Sequence, residues 1–195
     1  EPIHARYVRL SLHPDGGVAR FRVLGRPDRD AAGALRLRYL NSLFEEAARG
    51  FFFTTCVAKA WVEDMVAGRP YANIDEVLRR AATVFDTLSE DDWLQAFAGH
   101  PRIGERGGET ENREQAGTAS ASREVLRELV DVNRRYEEKF GFTYIVYATG
   151  KTASEMLSIA KNRLDNDRSA EIAMAAAEQR KITETRLRRM LCQEA

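Results

Sequence analysis

Over residues 35–191 the apolar side chains recur every three or four positions, and Gly, Pro and small polar residues cut the pattern into lengths that suit helices. That period buries one face of a helix and leaves the other wet. The bulk of the chain can therefore fold only by packing helices on one another. A first helix carries Leu37, Leu40, Leu43 and Phe44 on one face and is followed by Gly50. A second is predicted over 54–67, with Val57, Trp61, Val62 and Met65 inward and Gly68-Arg69-Pro70 ending it. Asn73 can cap a third over 74–88, and Ser89 a fourth that carries Trp93, Leu94 and Phe97. Ser122 starts a long helix that stops at Gly141. Thr152 or Ser154 caps another, reaching about Asn166, and an Ala-rich amphipathic helix fills 169–191. The expectation is an all-α fold, a single helical domain of about seven to nine helices over 35–195.

Residues 1–25 follow a different pattern. Tyr7 to Leu12 and Val18 to Leu24 alternate loosely around Pro14-Asp15-Gly16-Gly17, which suits a short N-terminal β-hairpin. Such a hairpin stands poorly alone. Residues 26–34, with Pro27 and Gly33, suit a linker. The run 142–148, FTYIVYA, is apolar and strand-like, but short.

The 195 residues hold 30 basic and 30 acidic side chains, mixed along the chain. A net charge of zero argues against a nucleic-acid or membrane-surface binder. No stretch approaches the roughly 18 apolar residues that span a bilayer, and EPIHARYVRL lacks the apolar core of a signal peptide. Cys56 and Cys192 are far apart, which suits a reducing, cytoplasmic setting better than a disulfide framework. No His, Cys and carboxylate set has the spacing of a metal site, so no metal is expected.

His100 is the only histidine within the helical part; His4 and His13 precede it. Imidazole exchanges protons near neutral pH, and this one stands where Pro101 biases the backbone out of helix. A polar, Gly-rich loop follows, from Arg102 to Thr118. His100 is thus either a proton-transfer group at the mouth of a functional loop or a surface histidine that ends a helix. Glu114 and Gln115 close that loop. They can orient His100 and hold a carbonyl or urea-like group, or merely decorate a helix end. The 140–146 aromatics suit a core, yet an extended apolar strip also offers its backbone N–H and C=O to a planar amide. Arg163 can clamp a carboxylate or be one more solvated arginine. Gly150-Lys151-Thr152 resembles the tail of a phosphate loop, but the required earlier glycine is Ile145, which excludes that reading.

Four strings, in order, carry a resemblance: GHPRIGE (99–105), REQAG (113–117), NRRYEEKFGFTYIVYATGK (133–151) and KNRLDND (161–167). With LNSL (40–43) and AGRPYA (67–72), they resemble the 2-oxo-4-hydroxy-4-carboxy-5-ureidoimidazoline (OHCU) decarboxylases over about residues 38–191. The resemblance implies an all-helical enzyme without a cofactor, working as a homodimer on a small molecule of uric acid degradation. It places the catalytic histidine on His100, with Pro101 beside it, and the catalytic acid on Glu114. Gln115, Arg163 and the backbone of Ile145, Val146 and Ala148 would bind substrate. The chain has Glu111 where many members have a serine, so no serine is carried over. Residues 4–25 resemble the C-terminal end of allantoicase, too short a piece to hold that enzyme's site.

The chemistry implied needs no added electron sink. Carbon dioxide leaves a carbon whose neighbouring ring C=N accepts the electron pair. The protein has to place the ring, move the hydroxyl proton and deliver a proton to one face, giving (S)-allantoin. Two other classes stay open: a non-catalytic helical binding or dimerisation module, and a docking fragment of allantoicase.

Overall fold

The computed structural model describes residues 29–103 and 122–192, and within them eight helices and no strand. They are α1 (Arg29–Ser42), α2 (Glu45–Phe53), α3 (Lys59–Ala67), α4 (Ile74–Asp86), α5 (Glu90–Ala98), α6 (Arg123–Phe140), α7 (Ala153–Arg163) and α8 (Arg168–Cys192). The hairpin expected over 1–25 lies outside the described residues.

The predicted caps hold wherever a side chain supplies an acceptor to the orphan N–H groups of a helix start. Asn73 accepts from the Glu76 N–H, Ser122 from Val125, and Ser89 and Thr152 each close a reciprocal capping box, with Asp92 and Glu155. Gly141 ends α6 with φ 81°, a left-handed conformation that glycine adopts without a Cβ clash.

Three expectations need correction. Helix begins at Arg29, inside the linker expected over 26–34. Gly33 is a contact rather than a break: a Cβ there would stand 3.0 Å from Ile74 Cδ1, so its absence lets α1 lie close on α4. Phe44 does not face inward at the end of α1; it is 72% exposed and precedes a separate helix, α2, that holds Gly50 in its interior. The segment 54–58 is not helix; α3 starts at Lys59. Buried Thr55 spends its hydroxyl on the Phe52 carbonyl, finishing α2 rather than opening α3.

The 25-residue α8, about 37 Å long at 1.5 Å per residue, packs against α1, α4 and α5. Its buried face runs through Ile172, Ala175, Ala176, Ile182, Leu187 and Leu191. The α2–α3–α4 side of the core centres on Trp61, fully buried, whose indole N–H donates to the Ala81 carbonyl at 3.0 Å. Arg69 donates to the carbonyls of Leu40 and Leu43 (2.9 and 2.6 Å) and so finishes α1 from the α3–α4 turn. On the other side α6 packs on α7. No described helix is long and apolar enough to cross a membrane.

Candidate active site

Two short non-helical segments meet at one recess. The first follows α5. The His100 N–H donates to Phe97 O at 3.1 Å, so the histidine leaves on the last turn of the helix. Gly99 permits this: a Cβ there would lie 2.7 Å from Val57 Cγ2. Downstream, Arg102 grips Glu137 of α6 with two bonds (2.8 and 2.7 Å), and Asn133 Nδ2 donates to Ile103 O at 3.0 Å. His100, half-buried, is thus held between α5 and α6.

The second segment is 142–148, between α6 and α7. The strand-like reading meets no ladder partner among the described residues. Its aromatic side chains pack instead: Tyr144 lies edge-on to Tyr136 at 5.2 Å, and Phe142 stacks near Phe97 at the same separation. Buried backbone groups still require partners, and here side chains supply them. Arg163 donates to Ile145 O (2.7 Å), Lys151 Nζ to Tyr147 O (2.6 Å), and the Tyr147 N–H donates to Glu178 Oε2 (2.8 Å).

Between the two segments lies a small recess, open to solvent. His100, Pro101 and Ile103 form one side; the strip from Tyr144 to Thr149, Ile145, Val146 and Ala148 included, forms the other; Ile182 of α8 contributes as well. Five of the residues expected at a site therefore share one cavity: His100, Pro101, Ile145, Val146 and Ala148. Glu114 and Gln115 lie outside the described residues.

Arg163 is not on the lining. It is 4% exposed and stands behind the strip, and the carboxylate it clamps is the protein's own. Both Nε and Nη2 approach Oε1 of the fully buried Glu171, at 2.6 and 2.5 Å. Tyr136 hydroxyl and Asn166 Nδ2 also donate to that carboxylate, and Arg163 lies over the Tyr144 ring at 5.0 Å. Burial alone would lower the guanidinium pKa, but Glu171, Tyr136 and Tyr144 outweigh it and raise it, so the charge persists. Burial pushes the hydroxyls of Tyr136 and Tyr144 far above the ordinary phenol range. They act as neutral hydrogen-bonding groups.

Ile103 and Ile182 line the recess without having been expected there. In sequence they are ordinary apolar positions, and spacing does not separate a cavity wall from a core. Arg186, one turn beyond Ile182, is buried too, and its charge bears on Cys56. Burial raises the Cys56 thiol to about 11, so it stays protonated and inert. Among the described residues no three His, Cys, Asp or Glu side chains gather as a metal ion would need.

The sequence profile of the family described as OHCU decarboxylase matches residues 41–188. The chain belongs to the OHCU decarboxylase family. A decarboxylase named for the same ureidoimidazoline, from Haloferax volcanii, is 27% identical over 158 residues, covering 78% of this chain and 94% of that protein. The uric acid degradation bifunctional protein TTL of Arabidopsis thaliana is 32% identical over 149 residues, 72% of this chain and 46% of that protein. The chain thus spans less than half the length of that bifunctional relative. A crystal structure of an OHCU decarboxylase in the presence of (S)-allantoin superposes with a TM-score of 0.68 at 31% identity, covering 77% of this chain and all of that one. An (S)-allantoin synthase, 19% identical with a TM-score of 0.60, shares the fold.

Proposed function

We propose that this chain decarboxylates 2-oxo-4-hydroxy-4-carboxy-5-ureidoimidazoline to (S)-allantoin, without a cofactor, in uric acid degradation. The observation that carries the reading is the recess itself: half-buried His100 with Pro101 on one side, and the non-helical strip from Tyr144 to Thr149 on the other, line one opening to solvent. The family membership and the likeness to a structure determined with (S)-allantoin support the same ligand class.

In this reading the C–CO₂ bond breaks and its electron pair forms a C=C bond as the ring C=N opens and its nitrogen takes a proton. His100 then removes the hydroxyl proton, C=O forms, and the ureido-bearing carbon is protonated on one face. General acid–base work by one such group contributes about 10²–10⁴-fold. Glu114 holds ureido N–H groups and keeps His100 in its useful protonation state. Gln115 binds a carbonyl, and Val146 and Ala148 offer backbone groups to the planar amides. Arg163 serves the site by holding the Ile145 carbonyl. The enzyme works as a homodimer in the cytoplasm, and residues 4–25 are the end of an allantoicase-like neighbour.

The test uses substrate made in situ by oxidising urate and hydrolysing the product, followed by ultraviolet absorbance and circular dichroism. Accelerated decay with the dichroism of one allantoin enantiomer is expected. Unchanged spontaneous decay to racemic allantoin would overturn the proposal in favour of a non-catalytic module. Sedimentation equilibrium tests the dimer.

A further inference from the structure

The strip that walls the recess is a row of peptide groups held in place by side chains, and one of those side chains has no place in the mechanism above. Glu178 sits on α8, one turn before the lining residue Ile182. Its Oε2 accepts the Tyr147 N–H at 2.8 Å, while its Oε1 accepts from Lys181 Nζ at 2.5 Å. The carboxylate is largely shielded, 15% exposed, whereas Lys181 is mostly in solvent. A charged acceptor on a backbone N–H makes one of the stronger hydrogen bonds of a protein interior.

The held groups follow a pattern. Arg163 takes the Ile145 carbonyl, Glu178 the Tyr147 N–H and Lys151 the Tyr147 carbonyl. All three belong to alternate residues, 145 and 147. Among the described residues nothing bonds the N–H or C=O of Val146, which lines the recess between them. One donor and one acceptor side by side match the N–H and C=O of a cyclic amide or ureide.

We propose that Glu178 is a positioning residue for the reaction: through the Tyr147 N–H it fixes the register of the wall, so that the Val146 peptide meets the ligand's amide edge. This inference rests on the decarboxylase reading. Glu178 touches no substrate; it acts through residues 145–147. Thr185, two turns along α8, adds a weaker hold on the same residue through the Tyr147 hydroxyl, at 3.2 Å.

The experiment compares wild type, Glu178→Met, Glu178→Gln and Lys181→Met in the decarboxylation assay. Tyr147 amide exchange and direct titration with (S)-allantoin are followed in parallel. Glu178→Met keeps the volume and removes the acceptor. It is expected to raise KM and weaken allantoin binding about tenfold, the equivalent of roughly one charge-assisted hydrogen bond. Tyr147 exchange should accelerate while kcat falls less than threefold. Glu178→Gln retains a carbonyl acceptor and should recover binding to within about threefold of wild type; Lys181→Met should leave both parameters unchanged. If Glu178→Met fails to fold, Lys151→Met loosens the same residue from its carbonyl side and should raise KM in the same direction. Active wild type with unaltered KM and binding in Glu178→Met overturns the inference alone, leaving Glu178 a structural group. Equal losses in the Met and Gln variants also overturn it. Inactive wild type overturns the parent reading and this inference with it.

Discussion

Glu171→Ala strips the Arg163 guanidinium of its carboxylate while leaving that charge buried. In the wild type the pair is almost completely shielded from water, at 5% and 0% side-chain exposure. Removing one member of such a pair costs about 3–5 kcal/mol, because the other stays desolvated without compensation. Here the carboxylate also accepts from Tyr136 and Asn166, so two more donors lose their partner. An orphaned buried donor costs about 1–3 kcal/mol, and such losses within one network do not simply add. The expected total is therefore about 5 kcal/mol, which for a domain of this size lowers the unfolding midpoint by about 10–20 °C. Arg163→Met alone leaves Glu171 as the uncompensated charge and should cost a similar amount. Arg163→Met with Glu171→Leu buries neither charge and should recover more than half of the summed loss. The remaining cost covers Ile145 O without its donor and the Tyr136 hydroxyl and Asn166 amide without their acceptor, about 1–3 kcal/mol each and less than additive. Urea unfolding of the four proteins, followed by circular dichroism, compares the double loss with the two single ones. A double variant as unstable as the two single losses added together would refute the reasoning: the pair would not be the unit that sets the cost.

Three further outcomes are expected. His100→Asn should lower decarboxylation by about 10²–10⁴-fold with an unchanged unfolding midpoint, measured on freshly generated substrate; retained activity would remove the imidazole from the mechanism. Gly99→Ala places a Cβ 2.7 Å from Val57 Cγ2 and should cost about 1–3 kcal/mol by overpacking. Because Gly99 has φ −78°, the penalty is steric, and Val57→Ala in the same chain should relieve most of it in urea unfolding. Glu178 is subject to burial, which raises its pKa, but the hydrogen bonds from Lys181 and the Tyr147 N–H, with the charges of Lys181 and Lys151, lower it further, below the ordinary 4.5. A depressed folded pKa contributes stability above that value and loses it as pH falls through the folded one. The stability difference between wild type and Glu178→Gln should thus shrink below about pH 4.5, and a difference constant down to acid unfolding would contradict it.

Local chemistry made most of the helices legible. Asn73, Ser89, Ser122 and Thr152 each bond within three residues of themselves, so sequence alone places these starts. Glycine misled at Gly33 and Gly50. An isolated glycine costs a helix only about 1 kcal/mol, and packing of α1 against α4 outweighs it at Gly33, while Gly50 stands in open space inside α2. Of the candidate site, the recess lining was legible at His100, because a histidine before a proline is a local signal, and at 145–148, because motif order marks it. Arg163 was visible as a residue but not in its role. Whether an arginine on an amphipathic helix meets solvent, ligand or a buried glutamate depends on α8, which closes over it from another part of the chain.

A cavity wall assembled from a ladder would change only with the whole sheet. This one is fastened at separate points by Arg163, Glu178 and Lys151, drawn from α7, α8 and the turn between strip and helix. Each fastening lies outside the cavity, and those of Glu178 and Lys151 can be exchanged without breaking the buried Arg163–Glu171 pair. Selection can therefore retune ligand preference by single replacements at Glu178 and Lys151, whereas Arg163 can change only together with Glu171.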